Sequence, residues 1–72
     1  MYNVRSAEYR GIKPNSDPQV QLALVHVDCD AAADLPAYDA VAGTEFIMGS
    51  TALIIATGEI KMLNSAHEWV AV

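Results

Sequence analysis

The side chains of this 72-residue chain best suited to acid–base, nucleophilic or metal chemistry near neutral pH are two histidines, one cysteine and nine carboxylates. They come together once, in His26-Val27-Asp28-Cys29-Asp30. A histidine, a carboxylate and a thiol are the parts of a base-activated nucleophile. In an extended strand, however, successive side chains alternate, so His26, Asp28 and Asp30 share one face and Cys29 takes the other. Cys29 then reads as a small buried apolar residue with no neighbour to lower its pKa. His67 is remote in sequence. No Gly-x-Ser-x-Gly elbow, His-Glu-x-x-His pair, glycine-rich phosphate loop or Cys-x-x-Cys occurs. The expectation is a protein that is not an enzyme, with no catalytic residues and no cofactor.

The run Asp28-Cys29-Asp30-Ala-Ala-Ala-Asp34, with Asp39 beyond it, raises calcium, because hard cations take several oxygens from one turn. It lacks the glycine for the sharp bend and the bidentate Glu of an EF-hand. A solvated acidic loop is the expectation, with no metal site, and calcium is left open. One cysteine excludes a disulfide within the chain and a zinc site built on paired thiolates.

The elements that would position these groups are strands. In residues 19–27, "QVQLALVHV", Val20, Leu22 and Leu24 share one face and Gln21, Ala23, Val25 and Val27 the other, which fits a strand covered on both sides. "DCDAAADLPAYDAVAG" reads as a long loop with one helical turn, capped by Asp30 and stopped by Pro36. From Thr44 the strand signal returns in "TEFIM", "STALIIA", "EIKMLN" and "EWVAV", separated by turns at Gly49, at Thr57-Gly58 and at Asn64. Residues 1–18 show no sustained period, and Lys13 and Asp17 precede prolines. The expected organisation is an extended basic arm, residues 1–18, on a small β domain, residues 19–72. The fold class is mainly β, a small antiparallel β-meander or sandwich with that N-terminal arm.

Charge divides along the same boundary. Arg5, Arg10 and Lys13 against Glu8 give residues 1–13 a charge of +2, while Lys61 against eight carboxylates gives the rest −7, for a net −5. An acidic body offers no basic face for phosphates, so nucleic acid is not an expected partner. No run of about 18 apolar residues exists and no apolar leader opens the chain, so no membrane role is expected. A domain this small buries only about 60% of its unfolded surface and gains from partners. Arg5, Arg10 and Lys13 are the candidate ionic contacts to a neighbour, and Val25, Val27 and Trp69 the apolar ones. Trp69 has two other readings, packing at the open end of the sheet or stacking on a sugar, with Met48 and Met62 as fillers near its ring.

Residues 49–70, "GSTALIIATGEIKMLNSAHEWV", carry a Gly-Ser opening, the Thr57-Gly58 turn, Met62-Leu63-Asn64-Ser65 and the late Trp69. This segment resembles small structural proteins encoded beside the capsid and tail genes of tailed bacteriophages and prophages. "NVRSAEYRGIKP" is similar to their extended N-terminal lead, and the middle of the chain is unmatched. Those proteins often carry a tyrosine after the turn, where this chain has Ile60-Lys61-Met62, which weakens an aromatic, glycan-binding patch. The resemblance implies a virion structural protein assembled in the bacterial host cytoplasm, decorating or reinforcing the capsid as a head decoration or head-fibre base. Its partners would be further copies of itself, with a trimer expected, and a capsid or other virion protein. Alternatives are a receptor- or glycan-binding fibre tip using Trp69, Tyr38 and polar turn residues, a tail or neck component, or a small prophage regulator.

Overall fold

Among the described residues, six strands follow one another: β1 (Tyr2–Ile12), β2 (Gln21–Cys29), β3 (Thr44–Phe46), β4 (Thr51–Ile54), β5 (Glu59–Leu63) and β6 (Trp69–Ala71). The computed structural model describes residues 1–15 and 17–72; Ser16, in the expected arm, lies outside the described residues. The molecule is mainly β, as its strand-forming Val, Ile and Leu content leads one to expect.

β2 is the centre of the sheet. β1 lies antiparallel along one side of it, and β3 and then β4 lie parallel along the other. β4, β5 and β6 continue outward as an antiparallel meander. The sheet is thus mixed and single, where an all-antiparallel meander or a two-sheet sandwich was expected. Parallel partners require a crossover. Here residues 30–43 make it, with the short 3-10 turn Ala32–Asp34 and the buried Pro36. Ala31 holds the N-cap position of that turn without a side-chain bond, so Asp30 does not cap it.

The crossover lies over one face of the sheet and makes it the core. Ala23, Val25, Val27, Cys29, Ala52, Ile54 and Leu63 point that way and are buried with Phe46, while Leu35, Tyr38 and Trp69 pack against them. The other, outer face carries Leu22, Leu24, His26 and Asp28 from β2, Thr51 and Leu53 from β4, Ile60 and Met62 from β5, and Val70 from β6. Alternation along β2 and the meander is as expected from the sequence.

Residues 2–12 are a sheet strand rather than a projecting arm. Opposite β2, the register of β1 slips between Val4 and Ser6 and again between Tyr9 and Gly11, leaving Arg5 and Arg10 as the extra residues of two bulges. Each bulge resets the alternation by one. With Arg5 and Arg10 set aside, the strand reads Tyr-Asn-Val-Ser-Ala-Glu-Tyr-Gly-Ile, and Tyr2, Val4, Ala7, Tyr9 and Ile12 all stand opposite core-side positions of β2. The bulges hide the period of two, which is why the segment looks patternless in sequence.

Between β3 and β4 the ladder against β2 is interrupted. The Ile47 N–H donates to the Ala23 carbonyl, and the next inward-facing group, the Val25 N–H, donates 3.1 Å to the Ser50 hydroxyl. Ser50 is completely buried and stands in for a missing backbone carbonyl. Gly49 turns the chain there at φ +98°, and a Cβ on it would sit 3.4 Å from the Leu24 Cδ1.

Candidate functional site

The expected contact residues are engaged within the chain itself. Arg5 lies 3.6 Å from Asp28, Arg10 is 3.2 Å from Glu8, and Lys13 is 2.8 Å from Glu45. The Glu45 hydrogen bond raises the Lys13 ammonium above its ordinary pKa. Asp28 Oδ1 has no hydrogen-bond partner among the described residues, Arg5 standing just beyond hydrogen-bond reach. Val25 and Val27 are 1% and 0% exposed on the core face, so in this fold they have no surface to offer a neighbour. Their strand is apolar on both sides because one side is core and the other is the bare outer face.

Trp69 belongs to the domain's own packing. It is half-buried against the core, and its indole N–H donates 2.7 Å to the Pro36 carbonyl, tying β6 to the crossover. Tyr38 stacks on His67 with ring centroids 4.0 Å apart and also packs against the core. The rings that a glycan would need are gathered at this end of the molecule, but they are occupied with one another and with the crossover. Met48 and Met62 are not fillers near Trp69: Met62 points to the opposite face, and together with Met48, Val70 and Val72 it lines an apolar groove of about 290 Å³.

The turn residues do what their types allow. Gly58 takes φ +72° in the turn between β4 and β5. The Asn64 side-chain oxygen accepts the Ala66 and Glu68 N–H groups at 3.0 and 2.9 Å, closing the β5–β6 turn in which His67 has φ +63°.

Among the described residues, the acid–base groups singled out by the sequence lie on different faces of the sheet. Cys29 is buried on the core face, and burial pushes its thiol pKa up from 9.0. His26 is on the other face, where its Nδ1 is hydrogen-bonded to the Thr51 hydroxyl across the β2–β4 pair. The acidic loop is divided between two cations: Asp28 faces Arg5, while Asp34 and Asp30 converge on the Met1 ammonium at 2.8 and 3.7 Å. That ammonium holds the Asp34 carboxyl below the usual carboxylate range. Among the described residues, no three His, Cys, Asp or Glu side chains are grouped to hold a metal ion.

What remains unsatisfied is the outer face. Ile60, Met62 and Val70 stand on neighbouring strands at 55%, 39% and 41% exposed, beside half-buried Leu53, while half-buried Leu24 and Leu22 lie further along β2, past His26. Exposed apolar side chains that are contiguous, rather than scattered, mark an interaction surface. The sequence marks Met62 only as a filler near Trp69 and the others only by their alternation, because it does not say which face the crossover covers.

No protein-family model matches the chain, and neither a curated protein nor a solved structure matches it. The likeness of residues 49–70 to phage structural proteins therefore rests on the sequence motif alone.

Proposed function

We propose that this chain is a non-enzymatic structural protein of a bacteriophage particle, a decoration or reinforcing subunit that works through protein–protein contacts. The observation that carries the non-enzymatic, contact-making reading is the bare apolar outer face of the sheet, in a chain whose His, Cys and carboxylate groups are dispersed. The likeness of residues 49–70 to virion proteins supports the particle as the setting. A small sheet with one covered face is the kind of unit that gains from assembly, because each Å² of apolar surface removed from water contributes about 25 cal/mol. Bacteriophage particles purified from cells carrying the gene, analysed by quantitative mass spectrometry, test the reading. Recovery at a fixed ratio to the shell protein is expected; absence from particles while the protein is abundant in the lysate would refute it. A ratio near one copy per shell subunit points to decoration, and a single ring's worth points to the neck or tail.

The fibre-tip alternative is less well supported, since Tyr38 and Trp69 are engaged by His67 and Pro36.

A further inference from the structure

Three features of the sheet bear on what covers its outer face. The first is charge. The carboxylates at outer-face register positions are Glu8 opposite Leu24, Asp28, and Glu45 opposite Leu22, and each is matched by a cation: Arg10, Arg5 and Lys13 respectively. The three pairs sum to zero. What is left is Lys61 against Asp17, Asp30, Asp34, Asp39, Glu59 and Glu68, +1 and −6, which is the whole net charge of −5. This face is therefore the neutral side of an acidic molecule. A strongly charged partner would find no complementary field on it, whereas a second copy could approach it without like-charge repulsion.

The second feature is the edge. β1 is an edge strand of 11 residues, long enough to template pairing with another chain. Its two bulges place an arginine at each break in the ladder, which twists and charges the edge. The opposite edge, β6, has only three residues. Self-association by strand pairing is thus hindered at both ends of the sheet.

The third feature is area. The molecule measures 38 × 21 × 18 Å, so its broad side spans at most 38 × 21, about 800 Å². That ceiling equals what each partner contributes to a standard-size interface of roughly 1,600 Å², so a pair built on this face is at or below standard size.

We infer that the outer face is a self-association surface on which two copies of this chain pack sheet against sheet about a two-fold axis, with Leu53, Ile60, Met62 and Val70 at its apolar centre. The inference rests on the reading of this face as the contact surface and names its occupant. The pairing places a second sheet about 10 Å from the first and completes between two chains the sandwich that one chain lacks. A face that meets its own copy closes as a pair and does not propagate.

Sedimentation equilibrium or light scattering on the purified full chain tests this. The expected mass is twice 7.7 kDa, or 15.4 kDa. Met62→Lys and, separately, Val70→Lys put a charge on side chains already partly exposed; each is expected to retain the β-sheet circular dichroism and fall to 7.7 kDa. Tyr9→Lys, 62% exposed at a core-side register position, is the control and should leave the mass doubled. A wild-type monomer at up to about 1 mM, enough to expose even a millimolar dissociation constant, overturns the inference. So does a trimer, or a folded lysine variant that keeps the doubled mass. A monomer that is nonetheless recovered in particles defeats the pairing and leaves the virion role standing. A dimer missing from particles does the reverse.

Discussion

The two faces of this sheet both carry aliphatic side chains, which have opposite fates, although the outer face also carries Glu8, His26, Asp28, Glu45 and Thr51. Val25, Val27, Ile54 and Leu63 are buried, whereas Leu24, Leu53 and Met62, next to them along the same strands, and Ile60 are half-buried or exposed. Nothing in their hydrophobicity separates them. The difference lies in the chain connection: because β3 and β4 run parallel to β2, residues 30–43 must cross one face to return, and that face becomes the core. Topology, acting through one long connection, decides which of the two faces is covered.

The contrast can be attacked first where it is largest. Phe46→Ala removes the bulkiest fully buried side chain and should cost about 3–5 kcal/mol. A chain of this length has roughly 4–11 kcal/mol of stability in all. Urea unfolding is therefore expected to show a midpoint collapse or an unfolded baseline; a small shift would mean that the crossover is not the true cover. Next comes Ser50→Ala, which leaves the buried Val25 N–H without its acceptor and should cost about 1–3 kcal/mol. A change near zero in the same measurement would show that the ladder closes over the gap.

Cys29 sharpens the comparison through pH. Its folded-state pKa is raised above 9.0 by burial, so the folded protein keeps the proton that the unfolded chain loses. The stabilisation is fully present below pH 9.0 and declines as pH rises above it. Melting temperatures measured from pH 8 to 10.5 should therefore fall more steeply for wild type than for Cys29→Ala. Parallel curves would contradict the burial of the thiol.

On the outer face, by contrast, Ile60→Ser is expected to alter the stability of the monomer by no more than about 0.5 kcal/mol. A loss comparable to that of Phe46→Ala would mean that this face is covered within the chain. Deleting Arg5 and Arg10 together removes both bulges and preserves the alternation of β1, at the cost of the cation that faces Asp28. The protein should still fold, but with a straight edge that has lost both arginines it should aggregate with rising concentration in size-exclusion chromatography. Unaltered solubility would show that the bulges do not guard the edge.

Much of the fold was legible because alternation survives as a local signal. The parity of Leu22 and Ala23, of Leu53 and Ile54, and of Met62 and Leu63 could be read directly, as could the turns at Gly58 and Asn64. β1 escaped because Arg5 and Arg10 interrupt its period, and a one-residue slip exchanges the faces of everything beyond it. The candidate contacts fared less well. Val25 and Val27 were chosen for being apolar on a two-sided strand, yet choosing the right side needed the crossover. Arg5, Arg10 and Lys13 looked like a basic arm awaiting a partner, but Glu8, Asp28 and Glu45 were already within reach, two of them brought there only by folding.

By itself the sequence determined the strands from β2 onward, the alternation within them, the turns at Gly58 and Asn64 and the separation of Cys29 from His26, since all of these follow from backbone geometry over a few residues. The parallel placement of β3 and β4, the choice of core face, the neutralisation of the outer face and the use of Ser50 as a substitute carbonyl were decided by tertiary structure. Each depends on contacts between residues distant in the chain, and local propensity carries no information about which of two apolar faces such contacts will cover.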